Sequence, residues 1–254
     1  MKIVSLNTWG GIVYQPLLDF IKEEARSADV FCLQELLFGE SKAIGKAGQH
    51  LNLCQEIAEI LRDFHLFPMY APVGTHFQEE AVGVRIGQGI FVRKGIEVLG
   101  VGELRTYAPD SEIARNLELT LTGNFNYVKV AHANSELLIS NLHGLWQEEG
   151  KVDTAPRLEQ SRILNQFFDT VDVPVVFCGD FNLRPDTESM SLLETRLCNL
   201  VKKHQIDTTR SKFYKKVEKF ADYVLVSPDL KVDQFDVPAV CVSDHLPLRL
   251  CIFS

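Results

Sequence analysis

VVFCGDFNLRP, residues 175–185, carries the pattern from which the fold can be read. Val175, Val176, Phe177 and Cys178 form a short apolar run between Pro174 and Gly179, the pattern of a fully buried strand. Asp180, Phe181 and Asn182 follow at once. In extended chain Asp180 and Asn182 share one face and Phe181 takes the other. Hydrophobic burial does not explain a carboxylate and a carboxamide side by side at the end of such a strand. Each unpaired polar group costs roughly 1–3 kcal/mol to desolvate, so the pair calls for a metal ion, a water or a phosphate oxygen. The plainer alternative is a strand-end turn, since Gly, Asp and Asn are ordinary turn residues.

The same ending recurs along the chain. Residues 2–7 alternate as a strand, Ile3 and Ser5 on one side and Val4 and Leu6 on the other, and stop at Asn7 before Thr8-Trp9-Gly10-Gly11. Residues 29–35, DVFCLQE, read as a buried strand ending on Glu35. Helical spacing marks residues 15–26 and 51–64. Residues 69–89 are glycine-rich and irregular, and Gly87-Gln88-Gly89 lacks the strand-then-helix frame of a phosphate loop. Strands are expected near 89–93, 96–100, 115–122, 127–133 and 135–143, joined by short loops that favour antiparallel meanders. A helix near 157–169 would be capped by Asp153 or Thr154, with Pro156 in its first turn. A short helix near 188–195 and strands at 223–226 and 248–253 complete the reading.

Composition is that of an ordinary globular protein, 46% hydrophobic and 24% charged over 254 residues. Such a length buries roughly three-quarters of the unfolded surface without staples. With no repeat or linker in evidence, one domain over residues 1–254 is expected. The six cysteines show no CxxC spacing, so free core thiols are expected rather than disulfides or zinc. No signal segment opens the sequence and no apolar run reaches membrane-spanning length. A cytoplasmic monomer without membrane insertion is the expectation. The net charge of −8 disfavours unspecific attraction to nucleic acid. Residues 202–219 depart from it, with seven Lys/Arg against two acids, a net of +5 in a chain otherwise at −13.

Strand ends therefore collect Asn7, Glu35, Asn141 with His143, and Asp180 with Asn182, while Asp222 opens one strand and Asp244-His245 precede another. One such end is unremarkable; six in one domain are not. Hard oxygen donors at Asn7, Glu35, Asp180, Asn182 and Asp244 suit magnesium or manganese, which take carboxylates and waters. The chain lacks HExxH and GxSxG, which removes the main support for a zinc protease or an elbow-type serine hydrolase.

LNTWG (6–10), LQE (33–35), NLHG (141–144), GDFN (179–182), DYVLVS (222–227) and SDH (243–245) occur in this order. Together they resemble the endonuclease/exonuclease/phosphatase superfamily, with its deoxyribonuclease I-like fold, along the whole chain. The resemblance implies an α/β fold, a four-layered α-β-β-α sandwich of two largely antiparallel sheets with outer helices and the active site at one rim. It implies metal binding by Glu35, supported by Asn7 with Asp244 nearby, and a magnesium ion, or manganese, as cofactor. It further implies that Asp180 handles the attacking water and that Asn182 contacts the scissile phosphate. His245 would contact phosphoryl oxygens or transfer a proton, oriented by Asp222, and His143 would bind phosphate or act as an acid.

The expected activity is metal-dependent phosphoester hydrolysis, leaning to a nuclease or nucleotide phosphodiesterase. A cation, an imidazolium and amide donors around one anion supply the charge neutralisation that phosphoryl transfer needs. Arg210, Lys212, Phe213 and Tyr214, just before Asp222, are expected to grip phosphates and stack a base. The alternatives are a phosphatase on a small soluble or lipid-head phosphate and a silent binding module; the latter is disfavoured because no expected catalytic position is lost.

Overall fold

The computed structural model describes residues 1–71, 83–106, 123–133 and 135–253. Along the chain come β1 (Lys2–Asn7), α1 (Tyr14–Glu24), β2 (Val30–Phe38), α2 (Leu53–Ile60), β3 (Phe64–Tyr70), β4 (Arg85–Arg93) and β5 (Val98–Arg105). There follow β6 (Asn124–His132), β7 (Ser135–His143), α3 (Ala155–Asp169), β8 (Val175–Asp180), α4 (Glu188–Glu194), β9 (Cys198–Asn199) and α5 (Leu200–Lys203). The chain ends with β10 (Asp222–Val226), β11 (Val232–Asp236) and β12 (Leu248–Ile252).

The strands make two six-stranded sheets, β11-β12-β1-β2-β4-β3 and β5-β6-β7-β8-β10-β9. Each is antiparallel except at one central pair, β1 with β2 in the first and β7 with β8 in the second. Period-2 alternation sorts the side chains. Val4, Leu6, Phe31 and Leu33 pack outward against Leu17 and Ile21 of α1 and Leu53 and Ile57 of α2. Ile3, Val30 and Cys32 turn inward to the core shared with the second sheet. On the far side, the Phe177 ring packs at a tilt against Phe168 of α3 and Phe181, with centroids 5.0 and 4.5 Å apart. The arrangement is the four-layered α/β sandwich expected, with helices outside.

Between the sheets lies a buried amide network. Gln34 Nε2 donates to Asn141 Oδ1 at 2.6 Å, and Gln88 Nε2 donates to Asn126 Oδ1 at 2.7 Å and to the Asn141 carbonyl at 2.8 Å. Asn141, grouped with the polar strand ends in the sequence, serves this network rather than the rim. Gln88 sits within β4, so its flanking glycines belong to a strand.

Several local expectations shift. The helix expected over 51–64 stops at Ile60, because Phe64 opens β3 and pairs with Arg93 of β4; tertiary pairing overrides the helical stripe. The irregular stretch expected over 69–89 contains the end of β3 and the start of β4. The strand expected near 115–122 lies outside the described residues. β11 has a single buried residue, Phe235, too little for a periodic signal. Thr154 caps α3, its Oγ1 accepting from the Arg157 N–H, while Asp153 caps α4 through the N–H groups of Glu188 and Ser189. All six cysteines are free. No helix among the described residues is long and apolar enough to cross a membrane.

Candidate active site

Both parallel strand pairs point their C-terminal ends at the same rim. Alternation puts Asn7 on the inner face of β1 with Ile3 and Ser5, and Asp180 on the inner face of β8 with Val176 and Cys178. The two meet across the sheets, Asn7 Nδ2 donating to Asp180 Oδ2 at 3.0 Å and to Glu35 Oε1 at 2.9 Å. His143, inward from the end of β7, brings Nε2 to 3.7 Å from Glu35 Oε1 and 3.9 Å from Asp180 Oδ2. Asp222 pairs with Asp180 in register and shares its face.

Glu35 reaches this rim against its parity. Strict alternation would aim it outward with Phe31 and Leu33. A register shift between Leu33 and Leu36 inserts one extra residue opposite β4, and Glu35 itself takes φ +55°. This is a β-bulge that re-aims one side chain. Thr8 holds it there, its hydroxyl donating to the carbonyls of Gln34 and Glu35 at 2.9 and 3.0 Å.

Two glycines let β7 and β8 close up beneath the site. A Cβ on Gly179, at φ +135°, would lie 2.1 Å from the Leu142 carbonyl oxygen, and one on Gly144 would lie 2.2 Å from that of Phe181. Asn182, at φ +54°, then turns back so that its N–H meets Asp180 Oδ1 at 2.9 Å and its Nδ2 donates to the Gly144 carbonyl at 3.0 Å. A left-handed residue, rather than extended chain, brings Asn182 to the same side as Asp180.

Loops complete the rim. His245 Nδ1 lies 2.8 and 2.9 Å from the Asp222 oxygens, and its Nε2 is 2.5 Å from Arg210 and 3.7 Å from Asp180 Oδ2. Arg210 also meets Asp244 Oδ2 at 3.3 Å and stacks over the Tyr214 ring at 4.1 Å. All of these but Asp222 line a cleft of about 420 Å³, with Trp9, Trp146, Lys151 and Lys216. Of the expected substrate-binding residues, Arg210 and Tyr214 line the cleft, while Lys212 and Phe213 do not.

Electrostatics divides the site. Burial pushes Glu35 up to about 7, Asp244 and Asp180 adding to it and the Asn7 amide opposing. Asp180 is held well below the usual carboxylate range: burial opposes ionisation, but His245, Lys151, Arg210 and His143 outweigh it. Burial, with the neighbouring Arg210, pushes His245 down to about 4. His143 is pushed down to about 4 by burial. With its pKa pushed down, the imidazolium expected from the sequence is a neutral ring at neutral pH, and the buried cations of the cleft are Arg210 and Lys151. Nothing in the sequence singles out Lys151, because a lone lysine in a loop has no motif around it.

The sequence model of the Endonuclease/Exonuclease/phosphatase family matches residues 4–245. The chain belongs to this family. Its members are phosphoester hydrolases, nucleases or phosphatases. Solved structures share the fold at low identity. D. rerio TDP2 complexed with a single-strand DNA product is 17% identical, with TM-score 0.68, covering 100% of this chain and 99% of that one. A Bacteroides thetaiotaomicron mannosyl-6-phosphatase is 16% identical, TM-score 0.70, both chains covered completely. A family protein from Beutenbergia cavernae is 20% identical, TM-score 0.74, covering 98% of this chain and 70% of that one. No curated protein matches the sequence.

The family usually employs a divalent metal, and the donor set here fits one. Ligand atoms of Glu35, His143 and Asp180 lie within 4.8 Å of one another, as do those of Asp180, Asp222 and His245. In the second group Asp222 and His245 already satisfy each other by a direct hydrogen bond, which makes the Glu35 end of the site the better place for an ion. Glu35, Glu148, Asp180 and Asp244 line this cleft together with Lys151, Arg210 and Lys216, and Asp222 lies buried behind His245. A dication beside Glu35 would offset its repulsion by Asp244 and Asp180, which adds to the effect of burial.

Proposed function

We propose that the protein is a magnesium-dependent phosphoester hydrolase that attacks its substrate with an activated water, and that nucleotides or nucleic-acid ends are its substrate class. The observation that carries the reading is the meeting of Glu35, Asn7 and His143 with Asp180 at one rim, opposite the Asp222–His245–Arg210 chain. Glu35 and Asn7 would hold the metal, with Asp244 nearby; manganese suits the same oxygen donors. When bound, the ion supplies charge neutralisation at a phosphoryl oxygen.

The remaining roles fall to the chain itself. Asp180, ionised at neutral pH, orients the water and takes its proton. His245, fixed by Asp222 with Nδ1 as its protonated atom, accepts from Arg210 at Nε2 and would assist proton transfer once substrate draws the guanidinium to a phosphoryl oxygen. Arg210 offers N–H donors to phosphoryl oxygens; its buried Nε has no partner among the described residues. The second N–H of the Asn182 amide is a further donor. His143, neutral beside Glu35 and Asp180, is placed to hydrogen-bond the phosphoryl group. Trp9, Trp146 and Tyr214 along the cleft are surfaces on which a base stacks, and this supports the nucleotide lean. TDP2 with its DNA product is a precedent on the same fold.

The alternative is a phosphatase for a small phosphate ester. The exposed lysines of residues 212–219 mostly lie off the cleft, and a small ester would not need them. Hydrolysis of oligonucleotides, dinucleotides, nucleotides and sugar phosphates, measured with Mg2+, Mn2+ or chelator, separates the readings. Chelator-sensitive release from nucleotide diesters is the expected result. Turnover confined to sugar phosphates favours the alternative, and undiminished turnover in chelator overturns both.

A further inference from the structure

Lys151 is a cation placed where a stabilising role is hard to find. It is only 6% exposed, lines the cleft, and has one acceptor among the described residues, Asn182 Oδ1 at 2.6 Å from Nζ. An ammonium has three donors, so two N–H groups remain after that bond. A neutral amide is a poor counterpart for a desolvated charge. A methionine of similar length would fill the same space without that penalty.

The loop that carries it is nonetheless held in place from both sides. Arg157, itself buried, donates to the carbonyls of Leu145 and Val152 at 3.2 and 2.6 Å. The Arg184 N–H donates to the Lys151 carbonyl at 2.9 Å. Burial pushes the Lys151 ammonium down to about 8, with Asp180 opposing, so it is still protonated at neutral pH. A preorganised, buried cation with free donors beside the proposed reaction centre is the arrangement that binds an oxyanion without reorganisation.

We propose that Lys151 is a phosphate-binding residue of this cleft, its ammonium meeting a non-bridging oxygen of the reacting phosphoryl group. The bond to Asn182 gives it a second consequence. Because Lys151 donates to Oδ1, the Asn182 amide must face its Nδ2 the other way, one N–H on the Gly144 carbonyl and one left for substrate. The assignment rests on the phosphoester reading above.

The test is binding of inorganic phosphate, with Mg2+ present, followed by calorimetry in the wild type and in Lys151→Met, Lys151→Gln and Lys151→Arg, with Tm for each. This titration needs no turnover, so it reads Lys151 even if no phosphoester in the panel is hydrolysed. The expected result is a phosphate Kd raised at least tenfold in Lys151→Met and Lys151→Gln. Lys151→Arg should stay within about threefold of wild type, and Tm should be unchanged or higher in Lys151→Met. Where turnover is found, kcat/KM should fall at least a hundredfold in the same two variants. Should Lys151→Met fail to fold, Lys151→Gln carries the reading. A wild type that binds no phosphate, or a Kd within twofold across the variants, overturns the proposal. So does a lowered Tm in Lys151→Met with phosphate binding intact, which would make Lys151 a structural residue.

Discussion

The Asp222 carboxylate sits astride Nδ1 of His245, its two oxygens at 2.8 and 2.9 Å. Both residues are buried, and burial works against charge on either, raising the pKa of Asp222 and lowering that of His245. The carboxylate therefore orients the ring more than it charges it, and leaves Nε2 as the basic nitrogen, which accepts from Arg210. If Asp222 acts only through the ring, His245→Ala already removes what Asp222→Asn removes. The double variant should then lose no more than about twofold in kcat beyond His245→Ala. Turnover of the two singles and the double decides this, and fully additive losses would break the pair.

Glu35 connects metal binding to stability. Its pKa in the folded, metal-free protein, about 7, exceeds the unfolded value of about 4.3. The folded state thus binds the proton more tightly, and stability falls as pH rises through that window. Asp180, held low, contributes the opposite slope at lower pH, and His143 and His245, pushed down to about 4, contribute it within the same window. Glu35 is therefore read from the difference between wild type and Glu35→Gln. The Tm of that variant relative to wild type should rise as pH increases between those values. Mg2+ should raise the wild-type Tm, because it binds the folded state, and raise that of Glu35→Gln much less. Hydrolysis should drop by roughly a hundredfold or more with the metal carboxylate gone. An equal Mg2+-induced rise in both proteins would put the metal elsewhere.

Asp180 accepts from the side chain of Asn7 and the backbone of Asn182, and both bonds survive an Asp180→Asn substitution only in part. The fold should persist, since the buried cations lose a partner at the rim rather than in the core. The proposed role is felt mainly in the transition state, so kcat should fall far more than KM changes. A weakened KM at unchanged kcat would make Asp180 a substrate-positioning residue.

The part of the site legible in the sequence is the part governed by alternation. Asn7, His143, Asp180 and Asp222 stand at strand ends with a parity that also buries Ile3, Val176 and Cys178, and the sandwich brings those inner faces together. Glu35 is marked by its motif but cannot be oriented from it, because a one-residue bulge reverses its side. Asn141 shows the converse: right parity, yet two residues further in along β7, where it bonds Gln34 instead of a ligand. Lys151 and Trp146 depend on a loop path held by Arg157, and the orientation of Arg210 on Asp244 and His245; no local pattern encodes either. Residues 202–219 read as one basic run, but the fold buries Arg210 and leaves Lys212, Lys215 and Lys219 in solvent.

That division of the basic run yields a measurement of how far the substrate extends. Arg210 belongs to the site through His245 and Asp244, so replacing it would confound chemistry with steering and it is left intact. Lys216 lines the cleft, whereas Lys212, Lys215 and Lys219 do not. Every phosphate that a lysine ceases to neutralise takes about 0.7–0.9 off the log–log dependence of binding on salt. With a single-stranded oligonucleotide as substrate, Lys216→Ser should flatten that slope by about the amount due to one phosphate. The triple replacement Lys212→Ser, Lys215→Ser, Lys219→Ser should leave slope and KM unchanged, since exposed lysines away from the cleft are screened at ordinary ionic strength. KM measured from low to physiological salt in the three proteins settles the matter. A triple variant whose slope falls by the amount due to two phosphates or more would mean that a polyanion tracks along this face, and that the substrate reaches well beyond the cleft.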